Sequence, residues 1–300
     1  MISVIIPTFN RSNLISRSLE SVLGQTVRDL EIIVVDGSTN DDTQRLVYTF
    51  DDERIKYIKI KNISAAHSRN IGIENAKGDF IAFNDDDDIW CIFKLEKQLD
   101  FFKKNYSAKV VYSTFSKAIG KILRKTPDRT ILKRRGDIYD EILHRNFMGL
   151  PTIMLPRFCC QEVLFDEDLQ CLEDWDWVIR LAKKLPFEFI AESLVTAGDT
   201  PKSVNKSNYD IKAASYKRIY DKYYFDIKLI PNREAKHLLS IGSNLCLSGN
   251  LQTGRKYLLQ SLRIDSINPK ILGCYFLSLM GEKTYRSGFE IFERLTHSQP

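Results

Sequence analysis

The stretch Phe80-Ile81-Ala82-Phe83-Asn84-Asp85-Asp86-Asp87-Asp88 passes from an apolar tetrapeptide straight into four consecutive carboxylates. Four adjacent like charges repel one another unless water surrounds them or a cation sits among them. A buried strand leading directly into such a run argues against a casual surface turn. Hard divalent ions such as Mg²⁺ and Mn²⁺ prefer carboxylate oxygen and are commonly shared with phosphate, so Asp-x-Asp at a strand end points to a metal and diphosphate site. The competing reading is a solvated acidic turn. A calcium loop is disfavoured, because Ile89 and Trp90 stand where that loop would need an oxygen ligand and a glycine.

The segments before this run set its context. Ile2-Ser3-Val4-Ile5-Ile6 is a β-branched run with the character of a buried parallel strand, expected to stop at Pro7. Thr8 to Arg11 form a loop, and a helix starts near Ser12 with Leu14, Ile15, Leu19, Val22 and Leu23 along one face. Leu30 to Val35 is a second buried strand that ends at Asp36-Gly37-Ser38. Asp41 and Asp42 suit the start of a helix reaching about Phe50. Arg54 to Ile60 reads as a third strand, Ala65 to Ala76 as a helix closed by Gly78, and Phe80 to Phe83 as a fourth strand. This alternation predicts an α/β fold, a mostly parallel sheet with helices on both faces. Ligands collect at the carboxyl ends of such strands, so the loops beginning at Pro7, Asp36 and Asn84 share one cleft.

Composition narrows the function classes. The 300 residues are 43% hydrophobic and 28% charged, with a net charge of +5, as in an ordinary globular protein. That charge favours phosphate or an anionic membrane surface and is too small to imply nucleic acid as a partner. The six cysteines have neither CxxC spacing nor a disulfide-framework density, which suits a cytoplasmic location. No signal peptide precedes Ser3, and no stretch approaches the ~20 apolar residues that span a bilayer, so membrane contact would be peripheral.

Within the cleft, Asp36 can accept hydrogen bonds from a base or ribose, or merely cap a turn, while Gly37 and Ser38 allow close approach of a ligand. Arg69, near the start of a helix, could clamp a phosphate, stack on a base or form a surface ion pair. There is no Walker A loop and no GxGxxG.

Four segments then carry a resemblance: Val4-Ile5-Ile6-Pro7-Thr8-Phe9-Asn10-Arg11, Ile33-Val34-Val35-Asp36-Gly37-Ser38, Ser68-Arg69-Asn70-Ile71-Gly72 and the acidic stretch from Gly78 to Asp88. In order and spacing they resemble family 2 glycosyltransferases of the Rossmann-like GT-A fold, over residues 1 to about 200. The resemblance implies a nucleotide-diphosphate sugar donor. Pro7, Thr8, Phe9, Asn10, Arg11, Asp36, Ser38 and Arg69 would line its site together with Asp85 and Asp86, and Asp85 and Asp87 would hold Mg²⁺ or Mn²⁺ on the diphosphate. Asn84 replaces the apolar residue usual before Asp-x-Asp, a departure expected to matter little.

The second half reads less clearly. Phe93, Leu95, Leu99 and Phe102 indicate a helix and Val110 to Tyr112 a strand. The basic residues Lys121, Arg124, Lys125, Arg129, Lys133, Arg134 and Arg135 read as a solvated, mobile excursion that could attract a phosphorylated lipid or an anionic surface. Glu173-Asp174-Trp175-Asp176-Trp177 opens an amphipathic helix with acid in its first turn, which the helix dipole alone would favour. It also resembles the family's Glu-Asp motif. That likeness assigns Asp174 as the base deprotonating an acceptor hydroxyl, and puts Glu173 and Trp175 on the acceptor side. Trp175 is expected either to wall the acceptor sugar or to pack in the core. Thr200-Pro201-Lys202-Ser203 stands where the family often carries a His-x-x-Ser-like loop.

From residue 209 the chain becomes helical. Gly242, Gly254 and Ser261 have the separations of the small crossing positions of a tetratricopeptide repeat over about residues 235 to 296. Gly249 stands at the turn, and Gly288 follows Gly254 by 34 residues. The expectation is a catalytic domain over 1–208 and a helical region over 209–300 that caps it or binds a protein partner. The function expected is inverting, metal-dependent sugar transfer to a glycan or lipid-linked glycan. The alternatives are a sugar nucleotidyltransferase, disfavoured by a first loop without a glycine-rich triphosphate cradle, and a catalytically degenerate scaffold acting through its C-terminal helices.

Overall fold

A computed structural model of the chain describes residues 1–61, 64–119, 122–128, 130–198 and 208–297. The chain divides into two compact units, Met1–Thr200 and Pro201–Pro300.

In the first unit, β1 (Ile2–Thr8), β2 (Leu30–Asp36), β3 (Ile55–Lys59) and β4 (Phe80–Phe83) form a parallel group in the order β3-β2-β1-β4. Val4, Ile5, Ile6, Ile32, Ile33, Val34 and Val35 are wholly buried, as continuous apolar strands covered on both faces must be. The helices α1 (Ser12–Leu23), α2 (Asp42–Tyr48) and α3 (Ala65–Asn75) make the connections. β1 runs through Pro7 rather than stopping at it. The Ile2 N–H bonds toward β2, at Asp29 O, and Ile5 O receives the Asn84 N–H on the β4 side. Position 7 therefore faces the β4 side, where the ladder has already ended at Ile5 opposite Phe83, so the N–H that proline lacks has no partner to lose. Gly78 does not close α3, which ends at Asn75. It lies against β1, where an added Cβ would stand 2.6 Å from the Ser3 nitrogen.

The remaining strands are mixed in direction. β5 (Ile89–Trp90) follows the acidic run, α4 (Lys94–Lys104) comes next, and then β6 (Val110–Ile119) with β7 (Ile122–Thr126). α5 (Tyr139–His144), β8 (Met154–Pro156), α6 (Arg157–Gln161), α7 (Glu173–Ala182) and β9 (Phe187–Ala197) complete the unit. β8 extends the parallel group antiparallel to β4, and β6, β9 and β5 follow it. The basic segment is more ordered than expected. Arg124 and Lys125 lie on β7, paired to β6, Arg134 bonds the carbonyls of Ile131 and Asp128, and Arg135 bonds Phe189 O. Lys121 and Arg129 lie outside the described residues, as do Thr200, Pro201, Lys202 and Ser203.

The second unit is helical: α8 (Tyr209–Lys222), α9 (Tyr224–Lys228), α10 (Pro231–Leu247), α11 (Leu251–Ile264), α12 (Pro269–Leu279) and α13 (Glu282–His297). An added Cβ on Gly242 would meet Gly254 O at 2.9 Å, and one on Gly254 would meet Cys246 Sγ at 2.5 Å. The buried Ser261 hydroxyl donates to Ala235 O at 2.7 Å. These small residues let α10 and α11 approach closely. Gly249 turns between them at φ +97°. Among the described residues, no helix is long and apolar enough to cross a membrane.

Candidate active site

The site lies at the carboxyl edge of β1, β2 and β4. The Gly37 N–H donates to Thr8 O, and Asn10, at φ 53°, knits the first two loops together. Its N–H donates to Ser38 Oγ at 2.7 Å, and its Oδ1 accepts from the Thr39 N–H at 3.0 Å. Phe9 is exposed beside it, while Pro7 is half-buried in β1. Asp36 is wholly buried. Its Oδ2 accepts from Tyr57 Oη at 2.6 Å and Lys59 Nζ at 3.3 Å, and its Oδ1 from the Ser38 N–H at 2.7 Å. Both Asp36 oxygens thus accept from protein donors and hold the turn, three bonds against the four lone-pair sites of a carboxylate. Burial and the Asp36 carboxylate together raise the proton affinity of the Tyr57 phenol.

The acid run divides by alternation. Asp86 and Asp88 turn inward, at 3% and 7% exposure, and Asp85 and Asp87 remain partly open. Asp86, expected beside the nucleotide, is instead enclosed, accepting from Thr8 Oγ1 and Arg11 Nη1, each at 2.9 Å. Burial pushes its carboxyl up to about 6 against the pull of Arg11. Thr8 and Arg11 thus serve the loop itself. Asp88 accepts from the Gly198 N–H at 2.8 Å, and burial, then Asp85, hold it well above the usual carboxylate range. Asn84 does matter: wholly buried, it donates to Ser18 Oγ at 2.8 Å and to Asp88 O at 3.4 Å, stapling the turn to α1.

Arg69 joins this loop to α7. Its Nη2 donates to Asp85 Oδ1 at 3.0 Å and its Nη1 to Glu173 Oε1 at 2.7 Å, with the guanidinium over the Phe165 ring. Burial alone would lower the guanidinium, but Asp85 and Glu173 outweigh it and strengthen its hold on the proton. Asp174 stands beside Glu173 at the start of α7, partly exposed, its Oδ1 accepting from the Trp175 N–H at 2.8 Å. Burial, then the Glu173 charge, raise it to about 7, opposed by Arg69. The residue before this pair, Leu172, has φ 62°, a conformation costly for a side chain with a Cβ. Trp175 is 5% exposed and donates its indole N–H to Ile142 O at 2.7 Å, packing α7 on α5. Of its two expected roles, the structure supports core packing.

Gly198 was not singled out in the sequence. An added Cβ there would stand 2.4 Å from Asp87 O, so β9 delivers a bare backbone against the acid run. Glu167 is another such residue: it accepts from Asn70 at 2.8 Å and pairs with His67 at 2.9 Å, tying α3 to the segment before α7. Gly198 lies in no apolar or acidic pattern, and Glu167 stands in the acidic triplet Asp166-Glu167-Asp168 that reads locally as a solvated turn, so only the tertiary pairing singles them out.

A parallel Rossmann-like sheet, an acid run at the end of its fourth strand and a mixed second half define the GT-A architecture. The chain belongs to the Glycosyl transferase family 2, whose sequence pattern matches residues 3–158. An uncharacterized glycosyltransferase of Rickettsia bellii is 33% identical over 214 residues, 69% of this chain and 30% of that protein. The UDP-Glc:alpha-D-GlcNAc-diphosphoundecaprenol beta-1,3-glucosyltransferase WfgD of Escherichia coli is 33% identical over 163 residues, 52% of this chain and 60% of the relative. The matches thus span less than two thirds of either relative's length. Among solved structures, S. aureus TarS 1-349 in complex with UDP-GlcNAc aligns with a TM-score of 0.67 at 17% identity, covering 98% of this chain and 91% of that one. Likeness at that identity speaks for the fold.

Proposed function

We propose that the chain is an inverting, metal-dependent glycosyltransferase that moves a sugar from a nucleotide-diphosphate donor, a UDP-sugar by preference, to a hydroxyl of a glycan or lipid-linked glycan. The observation that carries this reading is the span of Arg69, 3.0 Å to Asp85 on one side and 2.7 Å to Glu173 on the other. It puts the donor loop and the base helix one side chain apart, as a single displacement requires. The uridine donor and lipid-linked acceptor are carried over from the names of the E. coli relative and the TarS complex.

Asp85 and Asp87 fit Mg²⁺ or Mn²⁺ by donor chemistry: both are hard oxygen ligands on the open side of the loop. Among the described residues, no three potential ligands converge, which suits an ion completed by phosphate and water oxygens. When bound, such an ion supplies charge stabilisation to the departing diphosphate.

We assign the base role to Asp174 from its partly exposed place beside Glu173 in the first turn of α7, next to the Arg69 bridge; burial and the Glu173 charge raise its proton affinity, the direction a general base at neutral pH needs. It takes the acceptor proton as the acceptor oxygen attacks the anomeric carbon from the face opposite the leaving group. One displacement inverts the configuration. We further assign residues 1–208 as the catalytic domain and about 235–296 as a tetratricopeptide-like segment able to hold a protein partner. The enzyme would work in the cytoplasm, with peripheral membrane contact bringing it to a lipid-linked acceptor.

The test is thermal stabilisation of the full chain by a panel of nucleoside diphosphates and nucleotide sugars, with and without Mn²⁺. Binding at a hundredfold excess over Kd adds about 2.7 kcal/mol to stability. A uridine-selective shift that needs Mn²⁺ and is lost in Asp87→Ala supports the donor site. No shift with any nucleotide would overturn the proposal.

A further inference from the structure

Arg69 could clamp a phosphate, stack on a base or form an ion pair; in the structure each of its Nη groups donates to a carboxylate from a different part of the fold, and the ion pairs are partly buried. It is 6% exposed and lies 5.5 Å from the Phe165 ring centroid, so its plane is set by packing. Among the described residues its buried Nε has no hydrogen-bond partner, and the two Nη groups carry its polar contacts. One guanidinium therefore bridges Asp85 and Glu173, and Asp174 is the residue next to Glu173 in the first turn of α7. Asp85 keeps about a third of its side-chain surface open, and Glu173 is largely covered.

We propose that Arg69 is a shared counter-ion, a positioning residue that links cation binding at Asp85 to the charge of the acceptor-side pair Glu173 and Asp174. The inference rests on the proposed ion at Asp85 and Asp87. Arg69 competes with that ion for Asp85. With Asp85 neutralised, the Arg69 charge belongs to Glu173 and Asp174, and the base then gives up its proton more readily. Linkage is reciprocal: whatever draws Arg69 toward Glu173 favours the cation, and whatever releases it toward Asp85 opposes the cation.

The experiment titrates Mn²⁺ alone into the full chain and reads free Mn²⁺ by electron paramagnetic resonance. Glu173→Gln, although not a proposed ligand, should weaken Mn²⁺ binding by about fivefold or more, the low end of typical coupling between sites. Arg69→Gln should tighten it by a similar factor, and Glu173→Gln in the Arg69→Gln background should have no further effect. That last arm separates action through Arg69 from direct charge repulsion, and it removes both members of the ion pair should Arg69→Gln alone fail to fold. Weaker binding in Arg69→Gln, or an equal effect of Glu173→Gln in both backgrounds, would overturn the linkage. So would unchanged affinity in both single variants while Asp87→Ala loses the ion, with the donor site left standing. If Asp87→Ala leaves Mn²⁺ affinity unchanged, the donor-site reading falls and this inference falls with it.

Discussion

The two halves of the first unit build the same cleft by different physics. The donor half, β1 to β4, is a parallel group whose strands are apolar throughout because both faces are covered. The acceptor half joins β5 to β9 in mixed directions, and pairs β5 with β9 more than 100 residues apart in sequence. A parallel buried strand announces itself in a few residues; a distant antiparallel pairing has no local signature. On the proposed reading the first half is a frame that presents a loop to the donor, and the second half aims the chemistry at that loop.

The variant expected to have the largest effect acts on the aimed group. Asp174→Asn keeps the shape of the side chain but cannot accept a proton, so transfer should fall by roughly 10²–10⁴-fold, with Mn²⁺-dependent UDP binding little changed. An accompanying pH profile should show transfer in the unaltered chain rising above the usual carboxylate range, toward neutral pH, because burial and then the Glu173 charge raise the proton affinity of Asp174. The sign follows: the protonated form persists into that range, and only the ionised form is a base. A profile already flat from pH 5 upward would remove Asp174 from the role.

Much of the donor half was legible. The four strands, the three connecting helices and the shared edge follow from apolar runs and their punctuation, although Pro7 continues β1 because its missing N–H faces an ended ladder. The existence of the acid run was equally plain, but not its division of labour. Asp86 faces Thr8 and Arg11 because the chain alternates, and alternation inside an irregular loop cannot be read from four identical residues. Likewise Asp36 is spent on Tyr57, Lys59 and the Ser38 N–H, partners fixed by the β2–β3 register and the local turn. In the acceptor half, β7 was hidden under basic composition, and Gly198 by the absence of any pattern around it.

Glycines sharpen the contrast between frame and aim. Gly78→Ala forces a Cβ to 2.6 Å from the β1 backbone, which cannot yield as a side chain tip would, and should cost about 1–3 kcal/mol of stability. Binding per folded molecule should be preserved. Gly198→Ala drives its Cβ to 2.4 Å from Asp87 O, at the acid run itself. Its expected signature is reversed: a smaller loss of melting temperature than Gly78→Ala, with Mn²⁺-dependent UDP stabilisation reduced. Equal loss of ligand response in both variants would dissolve the distinction between a framing half and an aiming half.

The smallest effect comes from Trp175→Phe. The indole N–H donates to Ile142 O at 2.7 Å within a buried contact between α5 and α7. Phenylalanine keeps most of the apolar area but leaves that carbonyl without this donor, at about 1–3 kcal/mol for a buried unsatisfied group. Because the ring packs inside the acceptor half rather than facing its cleft, the loss should appear in urea unfolding as a lower midpoint at unchanged slope. The KM for acceptor should stay within about twofold, a change of under 0.5 kcal/mol in binding. A raised KM with undiminished stability would put Trp175 back against the sugar, and would mean that α7 turns its first-turn face toward the acceptor more fully than its packing on α5 allows.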